Sequence, residues 1–205
     1  MIVIQPSYFA PISQFAVIAK SKNVCLEVFD NYQKQTYRNR CYIYGANGKL
    51  MLNIPIVHVK NKGRQLTKDI VNEPYFNWRK QHLKSIKTAY QTSPYFEFYE
   101  DDFVSFYEQD SENLQNIDIA SFKLILNLLE IDLDITKTDK YNLAYKEDYR
   151  HLANAKTLHN FSFEPYTQMF DNKYGFLPNL SILDLLFMEG PNTLNYLENS
   201  VKELM

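Results

Sequence analysis

The chain of 205 residues has a formal net charge of -2 and an aliphatic and aromatic share of 45%, enough to fill one substantial core. That charge is a poor match for a nucleic-acid groove, which wants excess positive potential over its whole face, and no apolar run approaches the roughly 20 residues of a membrane span. MIVIQPSYFAP has neither a basic n-region nor the apolar stretch of a signal peptide, which predicts a cytoplasmic protein.

Met1 to Gln5 is a short apolar run stopped by Pro6 and predicts a buried first strand. Pro11 then opens a helix, with Ile12, Phe15, Ile18 and Ala19 at helical spacing. Val24 to Phe29 is β-branched and aromatic and reads as a second strand running into a polar loop, DNYQKQ. Strand, helix and strand within thirty residues predict a parallel βαβ unit. Cys41 to Tyr44 and Leu50 to Ile56 flank GANG, where Asn47-Gly48 can take the positive φ angles of a type I′ hairpin turn. Strand alternation there puts Arg38, Arg40 and Tyr42 on one face and Tyr37, Asn39 and Cys41 on the other.

Tyr75 to Tyr90 has helical periodicity, with Tyr75, Leu83, Ile86, Ala89 and Tyr90 on its apolar side, Trp78 at the margin and His82 within the stripe. Ser93-Pro94 ends it. The aromatic and acidic stretch PYFEFYEDDFVSFYEQD comes next, then a helix from about Asp118 to Ile131; beyond it short helices such as LSILDLLF alternate with irregular connections. The expected fold is α/β: an N-terminal βαβ unit and a β-hairpin forming one sheet over about residues 1–72, with a mainly helical part over about 73–205 packed on it in a single domain. Cys25 and Cys41 have neither a metal spacing nor a CxxC pair and read as reduced structural thiols.

Charge comes in blocks. Asn31 to Lys68 holds eight basic residues and no acid, and Thr88 to Phe122 holds eight acids and no lysine or arginine. Three explanations compete: the blocks face each other, each is a solvated face, or the basic one lines a cleft for a small anion. The third draws on Arg38 and Arg40 projecting together beside the KNKGR loop, since guanidinium forks match phosphate and carboxylate geometry.

QPSYFAP, DNYQKQ, the TYRNR triplet, Ile54-Pro55, WRKQHLKSIKTAYQTSPYFEFY and FLPNLSILDLLF, in this order, resemble the WbqC-like protein family of bacteria, the last in the form common among members from Bacteroidetes. The sequence differs from the commonest form of the family at Ala10, between Phe9 and Pro11, and at Asn31, where many members carry a second aspartate. The family takes its name from genes of O-antigen clusters. The resemblance implies a transferase, of acyl or aminoacyl groups to an amino sugar, in surface-polysaccharide or glycoconjugate synthesis.

Parallel α/β units bind ligands beyond the C-terminal ends of their strands, where Gln5, Tyr8, Asp30 and Gln33 would converge, with Arg38, Asn39 and Arg40 nearby. In this reading Asp30 is a general base, with His82 a second catalytic candidate, and the arginines hold a diphosphate or acyl carboxylate. Against it, Asp30 can anchor a turn, Arg38 and Arg40 can pair with Glu97, Asp101 or Asp102, and His82 can be a core histidine. With no GxGxxG, P-loop, HExxH or GxSxG, and only five glycines, neither cofactor nor metal is expected. The expected partner is a small anionic substrate such as a nucleotide sugar, with no nucleic acid and a homo-oligomer left open. Two alternatives stand beside the transferase: a nucleotidyltransferase-like enzyme, whose histidine pair is missing from IVIQPSYFAPISQFAVIA, and a scaffolding module that uses PYFEFYEDDFVSFYEQD as its surface.

Overall fold

The computed structural model describes residues 1–57, 63–157 and 161–203. Strand β1 (Ile2–Ile4) is fully buried, and Pro11 stands at the N-cap of α1 (Ile12–Ala19), where its fixed φ suits the turn into the helix. Every residue from Ile12 to Ile18 is buried, so α1 has no wet face. Strand β2 (Asn23–Leu26) pairs parallel with β1 in the register Ile2 with Val24. Glu27 N still donates to Ile4 O (2.9 Å), and the ladder ends there because the next amides go to side chains: Val28 N donates to Thr138 Oγ1 (3.1 Å) and Phe29 N to Glu27 Oε1 (2.9 Å).

Strands β3 (Arg40–Gly45) and β4 (Gly48–Asn53) form the hairpin. Its turn is not type I′. Ala46 and Asn47 link the strands and neither has positive φ; Gly48, which pairs with Gly45, does, at 93°. Nor does the hairpin join the parallel sheet; it is a separate two-stranded ladder. The reason lies on the edge of β3, where Tyr44 N donates to the Tyr90 hydroxyl (2.9 Å) and Tyr42 O accepts from Ser181 N (2.8 Å). Those partners come from later segments of the chain and occupy that edge, so no strand docks there.

Helix α2 (Trp78–Tyr90) is capped by Asn77, whose side chain accepts from Lys80 N, and α3 (Phe96–Glu108) is the aromatic and acidic stretch. Tyr75 precedes α2 and is 95% exposed, whereas Trp78 is in the core at 1%. Helix α4 (Leu114–Leu128) starts four residues before the expected Asp118 because Asn113 caps it through Asn116 N. Strand β5 (Asp134–Lys137) was not expected. All four of its residues are exposed, and it adds to β2 as a parallel edge, giving the order β1-β2-β5. The C-terminal part holds β6 (Phe161–Phe163), the one-turn α5 (Asp171–Tyr174), α6 (Ile182–Glu189), α7 (Thr193–Asn199) and β7 (Val201–Glu203), with β6 and β7 antiparallel. The fold is thus mixed α/β, parallel at its N-terminal sheet and mostly helical in its second half.

Two polar devices hold these parts together. Phe9 has φ of 37°, a strained value for a bulky residue, and its ring packs on Phe103 and Phe106. Its amide donates to Ser121 Oγ (3.3 Å) and its carbonyl accepts from Ser181 Oγ (2.7 Å), so α4 and the N-cap of α6 clamp it from both sides. Asp184, in the first turn of α6, accepts from the hydroxyls of Tyr90 (2.6 Å) and Tyr166 (2.6 Å) and from Gln168 Nε2 (2.8 Å). Burial raises its carboxyl above the usual range and these donors oppose the rise. Asp184→Ala leaves three buried donors without this acceptor, so urea unfolding should show a loss of about 3 kcal/mol or more.

Candidate functional site

Beyond the C-terminal ends of β1 and β2 lies a cavity of about 830 Å³. Residues 147–149 run along the outer edge of β1: Val3 N donates to Glu147 O (2.9 Å) and Tyr149 N to Val3 O (2.8 Å). Three parallel segments therefore end at one rim, where they deliver Gln5 after β1, Asp30 after β2 and Arg150 after this third segment.

Arg150 is spent within the fold. Its Nε and Nη2 donate to Asp148 (2.8 and 2.5 Å), Nη1 to Glu27 (3.1 Å) and Asn142 O (2.9 Å), and Nη2 also to Leu143 O (3.2 Å). The rings of Tyr141 and Tyr145 cover the guanidinium at 5.0 and 4.8 Å. All five donors are used. The hydrogen bonds to Arg150 hold the Asp148 carboxyl below its ordinary value. This group is a wall of the cavity, not a ligand clamp.

Asp30 and Arg38 face the same cavity and are 4% and 5% exposed. Arg38 donates from Nε (3.0 Å) and Nη2 (2.6 Å) to Asp30 Oδ2, which also accepts from Thr67 Oγ1 (3.0 Å). Thr67 N donates to Asp30 O (2.9 Å). One carboxylate oxygen is thus triply satisfied, while Asp30 Oδ1 is buried with no partner among the described residues. Gln5 is more telling: it is 1% exposed, lines the cavity, and neither its Nε2 nor its Oε1 has a hydrogen bond among the described residues. Buried amides are nearly always satisfied, so an orphan at a cavity wall has its donor and acceptor available to whatever fills the cavity, water included. Gln33 and the exposed Arg64 complete the basic and amide lining.

The sequence-predicted residues therefore divide. Gln5, Asp30, Gln33 and Arg38 meet at the cavity; Tyr8, His82, Asn39 and Arg40 do not. Arg38 and Arg40 do not share a strand face, because residues 37–39 form a turn and the strand begins only at Arg40. Asn39 instead donates from Nδ2 to Ile54 O (3.0 Å) and Asn53 Oδ1 (3.2 Å), and Arg40 lines a neighbouring hollow of about 420 Å³. No salt bridge among the described residues joins the basic block to the acidic one. Lys60 and Lys62 of the KNKGR loop lie outside the described residues.

Tyr8 and His82 belong to a core chain of hydrogen bonds. His82 Nε2 faces Asn53 O (3.2 Å) and so carries the proton, Nδ1 accepts from the Tyr8 hydroxyl (2.9 Å), and the Tyr107 hydroxyl donates to Tyr8 (2.5 Å). Trp78 stands edge-on to His82, with centroids 5.2 Å apart, and Arg79 covers its ring at 4.5 Å. The scaffolding alternative fares no better, since Phe96, Phe103, Phe106 and Tyr107 of α3 are buried and only Phe98 among its aromatics is exposed.

Sequence reasoning missed four residues: Thr67, Arg150, Tyr32 and Asp118. Tyr32 lines both the cavity and the hollow. Asp118, on α4, is fully buried, and neither carboxyl oxygen has a hydrogen-bond partner among the described residues; burial holds it well above the usual carboxylate range, with Arg38 pulling it down and Asp30 pushing it up. A second carboxyl thus stands near Asp30 although residue 31 is Asn. It comes from a helix 88 positions away, and nothing local in the sequence signals it.

Burial lowers the His82 pKa from 6.5 to about 4, partly offset by the bond to Asn53, so the ring is neutral in the fold. The unfolded chain binds this proton first, so the contribution is complete above pH 6.5 and is lost as pH falls from 6.5 towards 4, about 3 kcal/mol in all. His82→Gln keeps an acceptor and a donor but cannot titrate. Urea unfolding between pH 7 and 4.5 should show a shallower loss in the variant than in the wild type.

No curated protein and no solved structure matches the chain. The sequence profile of the WbqC-like protein family matches residues 5–160 and 144–196, and so takes in Gln5, Asp30, Arg38 and Arg150 together with the Asp184 cluster. A match over nearly the whole length identifies the chain: it belongs to the WbqC-like protein family.

Proposed function

We propose that this protein is a transferase that moves an acyl or aminoacyl group onto an amino sugar carried by a nucleotide or a lipid, in surface-polysaccharide or glycoconjugate synthesis. The observation that carries the reading is Gln5: a buried amide with neither donor nor acceptor engaged among the described residues, on the wall of a cavity that is also lined by Asp30, whose Oδ1 is unpartnered among them. A cavity of about 830 Å³ is in the range of sites for small molecules, and amides, a carboxylate and phenol rings are the groups that recognise hydroxyls and sugar faces. The pathway rests on what family membership implies.

In this reading the sugar amine lies against Asp30 Oδ1. The amine attacks the acyl carbonyl carbon, a C–N bond forms, and the bond from that carbon to the donor's leaving heteroatom breaks. Asp30 takes the amine proton and returns it to the leaving group. Arg38, held on Oδ2, fixes the carboxylate's orientation so that Oδ1 faces the substrate.

Because the Gln5 side chain bonds to none of the described residues, Gln5→Met separates binding from stability. The variant should unfold in urea as the wild type does, or about 1 kcal/mol later, since it removes a buried unsatisfied amide. In isothermal titration against UDP- and dTDP-linked amino sugars its affinity should be weaker by about 1–3 kcal/mol. Equal affinity in the two proteins, or no heat from a folded wild type, removes the proposal.

A further inference from the structure

The hollow of about 420 Å³ beside the cavity is lined by Lys34 and Arg40, by the amides of Asn39 and Asn53, and, among the described residues, by no acid. Arg40 has no carboxylate partner among the described residues; its Nη1 only approaches Met51 Sδ (3.6 Å), and its Nε is buried without an acceptor. Arg38 and Arg150, in the main cavity, are by contrast already neutralised by Asp30, Asp148 and Glu27, and Arg64, the third arginine on that lining, is exposed, where solvent and salt screen its charge. Tyr32 forms the partition, lining both spaces. Burial raises its phenol above the ordinary value, and Arg40 and then Arg38 oppose the rise, so both guanidiniums act on it.

We infer that the substrate is divided between these spaces: the Lys34–Arg40 hollow is a diphosphate subsite, and the uncharged sugar lies across Tyr32 in the main cavity. The physical ground is where unspent positive charge lies. Arg150 has spent all five donors and the charge of Arg38 is matched by Asp30, so both have less to offer a phosphate than Arg40 and Lys34, whose fork and ammonium face no carboxylate within the described structure. A phosphate accepting from Arg40 Nε would give that buried donor its acceptor. The inference deepens the transferase reading and rests on it for the identity of the sugar, but the diphosphate subsite is testable alone.

Inorganic pyrophosphate is the probe. Isothermal titration at low salt should show it binding the wild type, more weakly as sodium chloride is raised. Arg40→Gln should lower the affinity at least tenfold and Lys34→Gln by a smaller factor, with urea midpoints unchanged because neither side chain bonds strongly within the described structure. Gln5→Met should leave pyrophosphate affinity within twofold while weakening a UDP-linked amino sugar. Absence of pyrophosphate binding, or an Arg40→Gln affinity within twofold of the wild type, overturns the subsite. Pyrophosphate binding that depends on Arg40, without any response to the nucleotide-linked sugars, upholds the subsite and overturns the transferase reading.

Discussion

The candidate site depends on the buried ion pair between Asp30 and Arg38. Taking both charges out of water costs more than their attraction alone returns, so such a pair needs added hydrogen bonds to persist. Here Thr67 supplies them twice, through its hydroxyl to Oδ2 and its amide to the Asp30 carbonyl. The loop that joins Asp30 to Arg38 is thereby closed on itself, and further pinned where Tyr37 N donates to Ala153 O and Tyr8 N to Tyr37 O. The pair adds little to stability by the usual accounting; what it fixes is the position of the loop that separates cavity from hollow.

The polar groups of the molecule then sort by whether the fold has already used them. Asp184, Arg150 and Glu27 are saturated by internal partners and act as rivets. Gln5, Asp30 Oδ1 and Arg40 Nε are buried and unclaimed among the described residues, and all three lie on or beside the strand ends where α/β proteins place ligands. Residue type alone does not separate the two classes. Arg38, Arg40 and Arg150 are chemically identical and stand in three different surroundings: one paired with a single buried carboxylate, one with no carboxylate among the described residues, one with every donor spent.

That distinction also marks where reading the sequence stops. The first strand, α1, the second strand and the hairpin were legible because apolar runs, Pro11 and the glycine turn are local signals, and Gln5 and Asp30 came from strand order. The hairpin's independence was not legible, since it turns on Tyr90 and Ser181, which meet β3 only in the folded chain. Alternation failed for Arg38 and Arg40 because the residues before Arg40 turn rather than extend. Strand β5 escaped because an exposed edge carries no apolar pattern, and Asp118 because its neighbours are brought by packing.

The position of Trp78 has a practical consequence. It is the only tryptophan in the chain, almost wholly enclosed and in edge contact with His82. Its fluorescence therefore has a single origin, at the start of α2 against Tyr8 and Tyr107 of α3, and not at the cavity. An emission change on adding a small molecule would report a rearrangement carried through Tyr8 and His82 into the interior, which makes the chromophore a built-in gauge of how far binding reaches beyond the walls it touches.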